Sequence, residues 1–297
     1  MTLRSGRAAL VLGMAALMSP LMATGARAVP VSADIGKNLE YLQVDNAGTT
    51  VPIGPSNAFF FARTFYATGD YDGGNLQFDS TTLNFNSTST DCCGHTGVQY
   101  GTTFITKAQM DADFPTSTVY TLHLTDSTHV NPDVDIQVNL PPDLYNTTPV
   151  PTFTSASFDA LNGLTPGQAL TVFTDPFTVD ANATGGQTFL SIFDITDGTN
   201  IYSDFGTNTR ASWDIGSGLF LAGHQYEAQL IYDNLVQGSD GLVPTTARSD
   251  LRTDVIFSLP GGVPEPASWA MLLIGLGAVG AGIRSARYKT AGRLAKI

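Results

Sequence analysis

Phe114-Pro115-Thr116-Ser117-Thr118-Val119-Tyr120, followed by Leu124, has the spacing F-x5-Y-x3-L. The same spacing returns 106 residues later, in Phe220-Leu221-Ala222-Gly223-His224-Gln225-Tyr226 with Leu230. Upstream, Leu83-Asn84-Phe85 and Leu190-Ser191-Ile192 stand 107 residues apart. A period of that size is the length of one antiparallel β-sandwich.

The residues around the repeat agree with that reading. Ala58-Phe59-Phe60-Phe61-Ala62, Thr118-Val119-Tyr120-Thr121-Leu122-His123-Leu124 and Ala169-Leu170-Thr171-Val172-Phe173 read as strands. So do Phe189-Leu190-Ser191-Ile192-Phe193 and Tyr226-Glu227-Ala228-Gln229-Leu230-Ile231-Tyr232. Several alternate apolar and polar residues, which suits one buried and one wet face. Helical periodicity of useful length is confined to the two ends of the chain. The stretch Leu221-Ala222-Gly223-His224-Gln225-Tyr226 resembles the tyrosine corner of fibronectin type III-like folds. The resemblance implies that the tyrosine hydroxyl bonds back to the backbone and pins a connection between sheets.

The expected fold is all-β: two immunoglobulin/fibronectin III-like antiparallel sandwiches, flanked by an N-terminal signal helix and a C-terminal transmembrane helix. The modules are expected at residues 29–140 and 152–260. One large sandwich or jelly roll is the rival. Between the modules, residues 140–151 hold four prolines. They cannot pair as a central strand, so 141–151 reads as an extended, stiff connector.

The ends give the address. Residues 1–28 combine basic Arg4 and Arg7, an apolar run over 8–18, and small residues at Ala26 and Ala28, the plan of a signal peptide cut after Ala28. The run of 11 residues is about half the ~20 that span a bilayer. At the other end, residues 261–297 form a tail. Val263-Pro264-Glu265-Pro266 leads into an uncharged apolar stretch, 267–283, and a basic end, 284–297. Basic residues stay on the cytoplasmic side, which puts the body outside.

Pro264-Glu265-Pro266-Ala267-Ser268-Trp269-Ala270-Met271-Leu272 resembles the Pro-Glu-Pro-x-x-Trp-Ala-Met variant of the PEP-CTERM sorting signal. That resemblance implies export in a Gram-negative bacterium, an inner-membrane-anchored precursor, and processing near the triplet by an exosortase-type membrane transpeptidase after signal peptidase has acted. It also implies a destination at the cell surface or in an exopolysaccharide or biofilm matrix. The extension over 286–297 is longer than the few basic residues usual in such tails. Within the tail, Gly275-Leu276-Gly277-Ala278-Val279-Gly280 spells a dinucleotide-binding fingerprint, but it lies in an apolar terminal helix rather than in a βαβ unit. Helix packing in lipid is the better reading.

The body from Val29 to Pro264 holds 6 basic and 25 acidic residues, a formal charge of −19. Such a body repels nucleic acid and anionic lipid, so nucleic acid is excluded as a partner and the membrane is met only through the C-terminal helix. Cys92 and Cys93 are the only cysteines, and in an oxidising destination a disulfide between them is the favoured reading. With His95 they make a poor nucleophile pair and an incomplete metal site. Asp70, Asp72 and Asn75 have oxygen ligands at alternating positions and are the best calcium candidates. No twelve-residue calcium loop is complete, and Asp-Gly and Gly-Gly hairpin turns are the favoured explanation of the pattern. The sequence specifies no catalytic residue, metal or cofactor. It points to a non-enzymatic surface or matrix protein. The rivals are a carbohydrate-binding module using Tyr66, Tyr71, Tyr202 or Trp213, and a hydrolase needing two carboxylates across a cleft.

Overall fold

The computed structural model describes residues 30–66, 71–90, 95–142, 144–145, 148–207 and 209–261. Ala26 and Ala28, the segment Pro264, Glu265, Pro266 and Trp269, the apolar stretch 267–283, Cys92, Cys93 and Asp70 lie outside the described residues. Among the described residues, no helix is long and apolar enough to cross a membrane.

The first half of the body runs β1 (Pro30–Gln43), β2 (Thr50–Pro52), β3 (Ala58–Tyr66), β4 (Gly73–Phe78), β5 (Thr81–Asn84), β6 (Ser87–Thr90) and β7 (Thr96–Phe104). A short helix, α1 (Lys107–Asp113), then precedes β8 (Thr118–Thr125) and β9 (Val134–Leu140). The second half opens with α2 (Ser155–Asn162), followed by β10 (Leu170–Phe173), β11 (Gly185–Asp194), β12 (Thr199–Thr207) and β13 (Ser212–Ile215). It closes with two long strands, β14 (Gln225–Ser239) and β15 (Pro244–Ser258). All five segments read as strands from the sequence fall on strands: β3, β8, β10, β11 and β14.

Among the described residues, the strands form three sheets. Nine strands make one continuous sheet in the order β12-β11-β14-β15-β1-β3-β7-β6, with β2 on β1. A four-stranded sheet runs β5-β4-β8-β9, and β10 pairs with β13. The nine-stranded sheet is the departure from two separate sandwiches. There are two apolar cores, but both lie on one sheet, because β15 of the second half pairs in parallel with β1 of the first. We call this β1–β15 ladder the seam. Its register matches Gly36 with Arg248, Asn38 with Asp250 and Glu40 with Arg252.

Period-two alternation explains why one face of the large sheet carries both cores. Ala33, Ile35 and Leu39 of β1 and Ala247 and Leu251 of β15 enter the first core. Val255 and Phe257, in the same phase of β15, enter the second. The four-stranded sheet closes the first core, where Phe60 stacks on Phe114 at 3.8 Å and Phe78 meets Tyr120 at 4.7 Å. The β10–β13 pair and α2 close the second, around fully buried Trp213, Leu230 and Phe220. Each such side chain contributes roughly 1.5–3 kcal/mol of burial.

The F-x5-Y repeat marks one corner in each half. The Tyr120 hydroxyl donates to the Pro115 carbonyl at 2.8 Å, and the Tyr226 hydroxyl accepts from the Leu221 amide at 2.7 Å, each five residues back. The aligned positions Ser117 and Gly223 both adopt positive φ, 58° and 81°. Their amides bond the Leu140 and Leu259 carbonyls at 2.7 and 3.2 Å. The left-handed turn is what brings the tyrosine back over its own chain, and glycine meets that demand with least strain. By contrast, Leu83 and Asn84 lie on β5 while Leu190–Ile192 lie on β11, so the upstream match does not mark equivalent places.

The proline-rich connector is tied down on both sides. Asn234 Nδ2 donates to the Leu144 carbonyl at 3.1 Å and to Thr148 Oγ1 at 2.8 Å. The Gln43 side chain bonds both the amide and the carbonyl of Phe153, at 2.8 and 3.0 Å. Tyr145 donates its hydroxyl to the Lys37 carbonyl.

Candidate functional site

The other face of the large sheet carries charge along the seam. Every second residue of β15 points there: Arg248, Asp250, Arg252 and Asp254. From β1 come Asp34, Asn38 and Glu40, from β3 Arg63, and from β14 Asp233 and Glu227. Gly36 leaves the gap they need, since a Cβ there would stand 2.5 Å from both Arg248 Cγ and the Phe61 ring.

Two clusters result. In the first, Asp34 accepts from Arg63 at 2.8 and 3.1 Å and from Arg248 Nε at 3.0 Å. Arg248 Nη1 reaches on to Asp233 at 3.1 Å, and Gln187 Nε2 donates to the same Asp233 oxygen at 2.8 Å. In the second, Arg252 grips Asp254 with two bonds of 2.7 Å and touches Glu227 at 3.1 Å and Glu40 at 3.3 Å. Arg63 lies over the Phe61 ring at 4.9 Å.

Burial governs the protonation of these groups. Burial opposes the charge of Arg248, but Asp233 and Asp34 outweigh it and hold the guanidinium above its ordinary value. Asp250 is pushed well above the usual carboxylate range by burial and then by Asp233. Burial also raises Asp254 to about 7, against the pull of Arg252. Buried charges survive only when paired, and here acids outnumber arginines.

Above the first cluster the face opens into a cleft of about 400 Å³. Phe59 and Phe61 stand on one side, Phe189 and Phe205 on the other, with Gln99 and Gln187 among the polar lining. Phe189 and Phe205 pack at 4.4 Å, and Phe205 remains 60% exposed.

Elsewhere, Asp194, Asp197 and His224 bring three ligand-type atoms within 4.8 Å of one another. Asp194 Oδ2 lies 2.8 Å from His224 Nδ1, and Asp194 Oδ1 accepts the Thr196 and Asp197 amides at 2.9 and 3.1 Å. That is the geometry of a pinned β11–β12 turn.

The sequence candidates are placed differently. Asp72 accepts from the Ser127 amide at 2.9 Å and from its hydroxyl, and Asn75 accepts from Gln77 at 2.7 Å. Tyr66, Tyr71 and Trp213 are core residues and Tyr202 is half-buried, so these aromatics form no open strip. Sequence reading missed the charged face altogether. A signal for it exists in Arg248-x-Asp250-x-Arg252-x-Asp254, an alternation that places four charges on one side of a strand.

Residues 262–287 match the model of the PEP-CTERM protein-sorting motif. No curated protein matches the chain. Among solved structures, the FN1-FN3 domains of chicken CNTN1 align at 7% identity over 80% of this chain and 67% of that one, TM-score 0.24. A two-domain fibronectin type-III segment of chicken tenascin aligns at 13% identity over 65% and 92%, TM-score 0.21. The BSP domain of a biofilm associated protein aligns at 12% identity over 80% and 30%, TM-score 0.19.

Proposed function

Starting from a chain that carries the PEP-CTERM sorting motif and is thereby marked for export to the cell surface, we propose a non-enzymatic surface or matrix protein. An exosortase-type transpeptidase removes the tail, and the β body is what remains outside, in or near an exopolysaccharide matrix. The sorting motif is the observation that carries this reading. The body fits it: two cores joined by a continuous sheet and a tied connector make a stiff unit rather than two swinging modules.

The test is mass spectrometry of the protein recovered from cells and medium, with and without Pro264-Glu265-Pro266 replaced by alanines. A mature chain starting near Val29 and ending near Pro264, lost on replacement, supports sorting and release. An intact end at Ile297 in both proteins reduces the tail to an anchor and removes the matrix reading.

The aromatic cleft favours a second reading, saccharide binding by the same body. Facing phenyl rings with amide groups between them suit the apolar faces and hydroxyls of a sugar ring. The arginines below are already matched by acids, so the ligand is neutral. Titration of the full chain with neutral oligosaccharides tests this. Binding weakened at least tenfold by Phe205→Ala supports it, and the absence of saturable binding rejects it.

A further inference from the structure

We infer that Asp250 keeps its proton and donates it to the facing carboxylate of Asp233, and that this proton keeps the seam between the two halves closed. The two residues stand directly opposite each other on β14 and β15 and are 3% and 8% exposed. Direct opposition on an antiparallel pair brings their Cβ atoms to roughly 4.5–5.5 Å on one face of the sheet. Each also keeps one Oδ1 sealed from solvent with no donor among the described residues. Two ionised carboxylates do not persist that way: the charges repel at contact, and each sealed acceptor carries its full desolvation cost. A proton between them turns one carboxyl into a donor and satisfies both oxygens.

Among the described residues, the surroundings supply no other donor. Asn38 stands opposite Asp250 on β1, but its Nδ2 bonds Glu40 at 3.2 Å and its own Oδ1 is unpaired. Gln187 of β11 and Arg248 of β15 are spent on the other oxygen of Asp233. The charges that face the pair are Asp34 from β1, Arg63 from β3 and Arg248 from β15. Three carboxyls against two guanidiniums leave one negative charge, which the Asp250 proton cancels. Two residues along, Arg252 meets Asp254, Glu227 and Glu40, acids in excess again, so that cluster has no spare positive charge to lend.

The position gives the proton its consequence. Asp250 lies on the strand that pairs with β14 on one side and with β1 on the other. Its ionisation places an uncompensated charge in the ladder that joins the halves. A proton held in the folded chain and released on unfolding makes stability fall as pH rises, until the folded pair also gives it up.

The experiment uses the full chain in detergent, in an Asp254→Asn background so that the neighbouring carboxyl does not titrate. Infrared spectra report the C=O stretch of a protonated carboxyl, and thermal unfolding is followed from about pH 6 to about pH 9. The parent is expected to keep the protonated band at neutral pH. Asp250→Asn, isosteric and able to donate its amide to Asp233, should lose the band and unfold at least ~3 °C higher than the parent at the alkaline end. Should Asp250→Asn not fold, Asp233→Asn reads the same pair from the other side. A parent without the band at neutral pH overturns the proposal, and so does a band or pH slope unchanged by both substitutions.

Discussion

The two faces of the nine-stranded sheet solve the same problem with opposite chemistry. The inner face buries apolar side chains in two cores, each stabilised in proportion to the area removed from water. Along the seam, the outer face gathers three half-buried arginines among six acids, four of them buried (Asp34, Asp233, Asp250 and Asp254), and each buried charge costs several kcal/mol to desolvate and recovers it only through a placed partner. The inner face tolerates any apolar residue of about the right size. The outer face tolerates only its own arrangement, because removing one member strands another. The halves are therefore joined by the less forgiving of the two faces.

The sharpest break in that contrast comes from Arg248→Ala, which leaves Asp34 and Asp233 short of a partner. It should cost about 4 kcal/mol in urea unfolding of the full chain. A loss below about 1 kcal/mol would put the seam in the class of exposed ion pairs. On the inner face, Leu230→Ala removes a fully buried side chain and should cost about 3 kcal/mol by the same measurement. The two variants also separate by salt: only the first should change its cost with ionic strength.

A smaller effect distinguishes the faces by pH. Asp254, raised to about 7 chiefly by burial, is protonated in the folded chain while the unfolded carboxyl is already ionised. Its contribution is fully present below about pH 4 and is lost as pH rises through about 7. Between those limits Asp254→Asn should flatten most of this pH-dependent loss. A slope equal to the parent's would place the titration elsewhere. The smallest effect tests the likeness of the two halves. Tyr120→Phe and Tyr226→Phe each delete one corner hydrogen bond and should each cost about 1 kcal/mol. Costs that differ severalfold would mean the corners are alike in shape only.

The strands legible in the sequence were those with aromatic and aliphatic runs, such as Phe59-Phe60-Phe61 in β3 and Tyr226–Tyr232 in β14. Strands β1 and β15 escaped, although Ala33, Ile35 and Leu39, and Ala247, Leu251, Val255 and Phe257, keep one phase, interrupted by Lys37, Ser249 and Thr253. Most of their intervening residues are charged (Asp34, Arg248, Asp250, Arg252 and Asp254), and a charged residue reads as solvent-facing unless its partner is known. The partner of Arg248 is Asp34, 214 residues away. The aromatics suggested for sugar contact, Tyr66, Tyr71 and Trp213, went to the core. The open rings turned out to be Phe59, Phe189 and Phe205, which sequence alone gives no reason to place outward.

By itself the sequence determined the sorting tail, the β-rich alternation, the F-x5-Y repeat and the corner at Tyr226. Each is written in a contiguous stretch, where neighbours along the chain fix charge order, turn chemistry and side-chain phase. Only the tertiary structure decided that two cores share one sheet and that a charged face seals their junction. A parallel pair between the first and last strands is set by the balance of packing on one face and charge pairing on the other, and neither term exists until residues some two hundred positions apart are brought together.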